Sequence, residues 1–265
     1  MTNMLENMIA VAKKAGKIVL NYYDQDYEVT TKFNDPKVFL TTADTESEKY
    51  IIHELTRIFP DYQIVSEEKG NNAIDFSKNV FIVDPLDGTR QFVQHKKNFS
   101  VIIGLCSNGI PLAGVVYLPK LDETYFAEKG YGAYIEYKGK ISSIHTLKQN
   151  SLQRARVFNR EPHHEGIQSV KLDALPAKKT VLDSATGYKI CLIAKGYAEI
   201  FINTSQRTSK WDICAPQIIL EEAGGKMTEF SGNPIDYKLP SGKINPLFFA
   251  TNGDLHSVVR NFVSN

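Results

Sequence analysis

The strongest constraint on the fold sits at residues 80–89. Val80-Phe81-Ile82-Val83 is a continuous run of β-branched and aromatic side chains, the pattern of a strand covered on both faces. It leads without a break into Asp84-Pro85-Leu86-Asp87-Gly88-Thr89. Carboxylates abutting a buried strand are costly unless their charge is compensated. Hard divalent cations such as Mg²⁺ are the natural compensation, because they take carboxylate and carbonyl oxygens. Pro85 keeps Asp84 extended, so Asp84, Asp87 and the Leu86 carbonyl can face one metal cluster. Gly88 permits close backbone approach or positive φ. If a turn or helix starts there, free N–H groups at Gly88 and Thr89 suit an anion such as phosphate. The Thr89 hydroxyl can orient or deprotonate water. The same residues also read as a plain Asp-Gly turn between strand and helix. Two further acidic clusters, Glu67-Glu68 and Trp211-Asp212, weigh for the metal.

Around this segment the hydrophobic period changes along the chain. Leu5, Met8, Ile9, Ala12, Gly16, Val19 and Tyr22 form one helical stripe, with Asn3 and Glu6 at capping-box spacing. A second helix is expected from about Asp44, with Ile51, Ile52, Leu55, Ile58 and Phe59 on its apolar face and Pro60 as its stop. Residues 62–65 read as a short strand. Residues 99–106 and 110–118, and then 124–128 and 133–137, read as two hairpins of an antiparallel meander. The stretch 138–173 is the least patterned, so the chain is expected to divide into 1–140 and 141–265. Helices are expected at 189–198, 215–223 and 255–262, and strands at 199–202, 226–230 and 247–251, with Gly224-Gly225 as a helix stop.

Composition narrows the function classes. The 265 residues are 42% apolar and 23% charged, which excludes wholesale disorder and fibrous repeats. The 31 basic and 30 acidic side chains leave a net charge of +1, giving no electrostatic footprint for nucleic acid or an anionic membrane. Cys106, Cys191 and Cys214 lack CxxC spacing and read as buried thiols. With neither a membrane-spanning apolar run nor the continuous apolar middle of a signal peptide, a cytoplasmic location is expected.

Val83-Asp84-Pro85-Leu86-Asp87-Gly88-Thr89 resembles the first signature of the inositol monophosphatase superfamily of Mg²⁺-dependent, Li⁺-sensitive phosphatases. Trp211-Asp212-Ile213-Cys214-Ala215-Pro216 with Glu222-Ala223-Gly224-Gly225 resembles its second. Ser66-Glu67-Glu68 and Thr42-Ala43-Asp44 match smaller elements, so the resemblance spans nearly the whole chain. It implies an α+β fold, the layered α-β-α-β-α sandwich of the sugar phosphatases. It also implies that Glu67, Asp84 and the Leu86 carbonyl hold one Mg²⁺, and Asp84, Asp87 and Asp212 a second. A third, weaker ion is allowed near Glu67, and Asp44 and Thr89 would activate the attacking water. A small phosphorylated substrate is the implied partner, and a homodimer is left open.

Residues 87–92, Asp-Gly-Thr-Arg-Gln-Phe, and the run from Thr186 through Lys189 to Gly196 look most like the 3'(2'),5'-bisphosphate nucleotidases. That resemblance implies hydrolysis of the 3'-phosphate of 3'-phosphoadenosine 5'-phosphate. Gly88, Thr89, Arg90, Arg160 and Lys189 are then candidate substrate contacts. Arg90-Gln91 stands where those enzymes usually read Lys-Glu, and Phe158-Asn159-Arg160 where they carry a Ser-Arg-Ser type loop. Inositol monophosphate or another sugar phosphate is the alternative substrate, and a non-catalytic binding protein the alternative class. Plainer roles compete at single positions: helix capping for Asp44, core packing for Trp211, snorkelling for Lys189 and a solvated charge run for His95-Lys96-Lys97. His163-His164 read as a solvated loop.

Overall fold

The computed structural model describes residues 1–25, 28–31, 39–69, 74–159, 174–239 and 242–264. The N-terminal stripe forms α1 (Asn3–Tyr23), and the run before Pro60 forms α2 (Thr42–Ile58). Between them, β1 (Val29–Thr31) pairs antiparallel with β2 (Phe39–Thr41). A seven-stranded sheet follows. It contains β3 (Gln63–Ser66), β4 (Asn79–Asp87), β5 (Ser100–Ser107), β6 (Ile110–Leu118), β7 (Glu123–Glu128), β8 (Ala133–Tyr137) and β9 (Lys140–Ser143), in that spatial order. Only the β3–β4 pair is parallel. The short α3 (Thr89–Val93) leaves the end of β4.

The second half holds β10 (Arg156–Asn159), β11 (Lys178–Val181), α4 (Thr186–Ala194), β12 (Ile200–Asn203), α5 (Lys210–Glu222), β13 (Lys226–Glu229), β14 (Phe248–Thr251) and α6 (His256–Val263). Its sheet runs in the order β11-β10-β12-β14-β13.

Strand alternation sorts the layers. Phe81, Val83, Val101, Ile103, Val115 and Tyr117 pack in one core with α1 and α2. Val80, Ile82, Ile102 and Val116 alternate with them and share a second core with α4, α5, Phe201 and Phe248. On the far side, Ile200, Ile202 and Phe249 pack with Leu255, Val259 and Val263. The result is α-β-α-β-α, as the resemblance implies. Each such side chain contributes roughly 1.5–3 kcal/mol on burial.

One notch positions the middle layer. Gly104 of β5 and Gly114 of β6 pair directly across the strands. A Cβ on Gly104 would stand 2.6 Å from Cys214 Sγ, and one on Gly114 2.6 Å from the Ala215 Cα. The two glycines let α5 lie directly on the sheet, which brings Asp212 at its start down to the end of β4.

Several boundaries differ from the sequence expectation. Thr2, not Asn3, caps α1: its extended backbone turns the hydroxyl to accept from Leu5 N at 3.3 Å, while Asn3 accepts from the Asn7 amide. α4 begins at Thr186 rather than 189, and α5 at Lys210 rather than 215. These starts were hidden because Thr186 and Lys189 in one first turn and Asp212 in the other face the cleft and interrupt the apolar period. The 140/141 division falls inside β9, which pairs with β8. Strands β10 and β11 lie in or beside the stretch that carried no readable period.

Candidate active site

Asp84 and Asp87 are three residues apart, so a regular strand would send them to opposite faces. In β4 they pair with Ile102 and Ser100, which are two apart, with a register shift between them. The extra residue is a β-bulge. Pro85 has no N–H to lose from a ladder and suits that position. Both carboxylates thereby turn to the α4–α5 side. Asp212 joins them from the first turn of α5, where Ser209 and Asp212 form a capping box and the Ser209 N–H donates to Oδ2 at 2.6 Å.

One carboxylate oxygen each from Asp84, Asp87 and Asp212 lie within 4.8 Å of one another. Asp84 is 1% and Asp87 6% exposed. The group is electrostatically strained. Burial, then the Asp212 charge, pushes the Asp87 carboxyl well above its ordinary range. Burial, then Glu67, pushes Asp212 up to about 7. Hydrogen bonds hold the cluster open despite this: the Leu86 N–H donates to Asp84 Oδ1 at 3.0 Å, and Ser100 Oγ to Asp87 Oδ2 at 3.1 Å. An all-oxygen set of carboxylates, two buried and Asp212 half-buried, fits a hard divalent cation, which would relieve the repulsion that raises both groups. Glu67 lies outside that close trio but lines the same cleft.

Asp44 and Thr89 come together from α2 and α3. Thr89 Oγ1 lies 3.0 Å from Asp44 Oδ1 and 3.0 Å from the Leu86 carbonyl oxygen. Asp44 Oδ2 accepts from the Thr41 N–H at 2.7 Å and its hydroxyl at 2.6 Å. Capping and contact with Thr89 are thus both met, one on each carboxylate oxygen. Ser47 Oγ donates to the Pro85 carbonyl at 2.8 Å, tying α2 to the bulge.

A cleft of about 260 Å³ opens beside the cluster. Its walls include Glu67, Asp87, Gly88, Thr89, Arg90, Lys189 and Asp212. Gly88 has φ +85°, a conformation that strains any other residue. Gly187 is needed for space: a Cβ there would meet Asp87 Oδ2 at 3.0 Å and Ile102 Cδ1 at 2.7 Å. Ser184, Thr186 and Arg207 also line the cleft; of these only Thr186 fell in a segment marked from sequence, and none was named as a site residue. Ser100 and Gly187 were likewise missed as site residues. Their role follows only from the pairing register and from the approach of α4.

Other candidates fall elsewhere. Arg160, His163 and His164 lie outside the described residues. His95 packs edge-on against Tyr23, and Lys96 pairs with Asp183, so neither lines the cleft. Trp211 packs against the core. The three cysteines are free and buried.

Comparison with known proteins agrees with this geometry. The family model described as the inositol monophosphatase family matches residues 1–259. A protein of Aggregatibacter actinomycetemcomitans named 3'(2'),5'-bisphosphate nucleotidase CysQ is 28% identical over 252 residues, covering 93% of this chain and 92% of its own. A Thermotoga maritima protein named fructose-1,6-bisphosphatase/inositol-1-monophosphatase is 28% identical over 258 residues, covering 96% and 93%. Among solved structures, a Thermotoga maritima IMPase superposes with a TM-score of 0.79 at 27% identity, covering 99% of this chain and 97% of that one.

Proposed function

The chain belongs to the inositol monophosphatase family, and from that premise we propose that it is a Mg²⁺-dependent phosphatase acting on the 3'-phosphate of 3'-phosphoadenosine 5'-phosphate. The observation that carries this reading is the trio Asp84, Asp87 and Asp212, of which Asp87 and Asp212 line a cleft that Arg90, Lys189 and Arg207 also line. Carboxylates suit metal at the scissile phosphate, and the cations suit a second phosphate that is not cleaved. The nucleotidase named above is a relative over nearly the full chain, which supports the same substrate.

On this reading Asp84, Asp87 and Asp212, with Glu67 and the Leu86 carbonyl, would hold two Mg²⁺ ions, and a third, weaker one would sit near Glu67. When bound, such ions neutralise phosphate charge, lower the pKa of water and stabilise the leaving oxygen. The protein's own part is positioning, which is most of what phosphoryl transfer needs. Thr89 Oγ1 accepts a hydrogen bond from the attacking water while its own proton points at Asp44 Oδ1. Asp44 takes that proton as water loses its own. The two bonds from Thr41 keep the other Asp44 oxygen occupied and the carboxylate in register. Gly88 and Thr89 offer backbone to the scissile phosphate. Arg90 presents a planar donor pair for the distal phosphate and Lys189 a point charge.

The second reading is an inositol or sugar monophosphate, favoured by the Thermotoga relative at equal identity. Steady-state kinetics on both substrates with Mg²⁺ decides between them. A higher kcat/KM for 3'-phosphoadenosine 5'-phosphate than for inositol 1-phosphate is expected. Preference for inositol 1-phosphate would overturn the nucleotidase reading and leave the phosphatase intact.

A further inference from the structure

We infer that Asp183 is a positioning residue that sets the substrate-side wall of the cleft and thereby selects substrates extending beyond the scissile phosphate; this rests on the phosphatase reading above. Asp183 lies between β11 and α4 and is not among the described residues lining the cleft. Three bonds latch it to the segment that follows β4 in the other sheet. Gln91 Nε2 donates to Asp183 Oδ1 at 2.8 Å, Lys96 Nζ pairs with Oδ2, and the Asn98 amide donates to the Asp183 carbonyl.

The latch joins the two cleft walls. Gly88, Thr89 and Arg90 belong to one, and Ser184, Ala185, Thr186 and Lys189 to the other. Their contact is close: a Cβ on Gly88 would lie 3.4 Å from Ala185 Cβ and 3.2 Å from Gln91 Oε1. Side chains of the latched turn add little of their own. Ser184 is buried, and its hydroxyl has no hydrogen-bond partner among the described residues. Ala185, the N-cap of α4, supplies no side-chain cap. Asp183 therefore carries the side-chain bonds that fix this turn relative to Asp87 and Asp212. It does not touch the carboxylate trio, so its loss leaves the chemistry in place and loosens only the far wall.

The test is steady-state kinetics of Asp183→Ala, Asp183→Asn and the wild type with two probes, 3'-phosphoadenosine 5'-phosphate and p-nitrophenyl phosphate. The aryl phosphate reaches the carboxylates without spanning the cleft. In Asp183→Ala, KM for the bisphosphate should rise about tenfold, with kcat within about threefold and KM for the aryl phosphate nearly unchanged. Asp183→Asn keeps an acceptor for Gln91 and should recover part of the loss. Hydrogen exchange gives a readout that does not depend on turnover: amides at 184–188 should lose protection in Asp183→Ala. An equal KM rise for both probes, a loss confined to kcat, or unchanged kinetics and exchange would each overturn the inference. A wild type that hydrolyses neither probe, with exchange changed as expected, would instead sink the phosphatase reading and leave the latch standing.

Discussion

In the proposed mechanism Thr89 and Asp44 share one proton path; the Thr89 hydroxyl lies 3.0 Å from Asp44 Oδ1. Thr89→Ala should lower kcat by roughly a hundredfold, in the range of a lost general acid–base partner, with KM changed only a few-fold. Asp44→Asn should behave alike, and the double variant should be little worse than either single one, because the second change removes nothing still working. Additive losses would mean that Asp44 serves only in the capping box that Thr41 opens on α2. These residues were legible in the sequence because each sits inside a local motif: Asp44 at a helix start, Asp84 to Thr89 at a strand end, Asp212 beside Trp211. Ser100 was not, since its bond to Asp87 depends on the β4–β5 register. Nor was Gly187, whose missing side chain matters only once α4 stands against Asp87.

At the scale of elements, the site depends on how closely α5 lies on the sheet. Gly104→Val would push a branched side chain into Cys214 and the Ala215 backbone. Overpacking of this kind costs about 1–3 kcal/mol, so the melting temperature should fall. Turnover should fall further than stability explains, because Asp212 rides on the displaced helix. A Gly104→Val variant with normal kcat would show that α5 has freedom the packing denies. The strands and helices were readable from their periods of two and 3.6, since most of their faces are buried. The β4 bulge was not readable, though Pro85 marked its place, because a bulge is a property of two paired strands. The starts of α4 and α5 were missed because their first turns mix cleft residues, Thr186, Lys189 and Asp212, with core ones such as Ile213, which breaks the apolar period. Strands β10 and β11 have little apolar alternation, and β11 is mostly exposed.

Across the whole molecule, stability and site pull differently with pH. His256 is 6% exposed, stacked on Phe249 and held between Thr228 and Thr251 at 3.0 Å each. Burial pushes its pKa down to about 4 from the usual 6.5. The unfolded chain therefore takes up a proton first as the pH falls. The stability from neutral His256 is complete above pH 6.5 and is lost on the way down to about pH 4, by up to ~3 kcal/mol. Melting temperatures of wild type and His256→Gln should converge as the pH drops through that window, and a constant gap would contradict the assignment. The two-sheet arrangement was only partly legible. Periodicity pointed to helices with an antiparallel meander in the first half and alternating helices and strands in the second, while the layering came from the family resemblance. No described helix is long and apolar enough to cross a membrane.

In the proposed enzyme Asp84, Asp87 and Asp212 make phosphate release depend on a divalent metal. The most direct measurement is phosphate release from 3'-phosphoadenosine 5'-phosphate against Mg²⁺ concentration, for wild type and Asp212→Asn. Wild-type release should rise with Mg²⁺ and stop with chelator. Asp212→Asn should fold, melt no lower than wild type without metal because one buried like charge is gone, and release almost no phosphate at saturating Mg²⁺. Near-normal turnover in the folded Asp212→Asn protein, or wild-type release indifferent to Mg²⁺ and chelator, would contradict it.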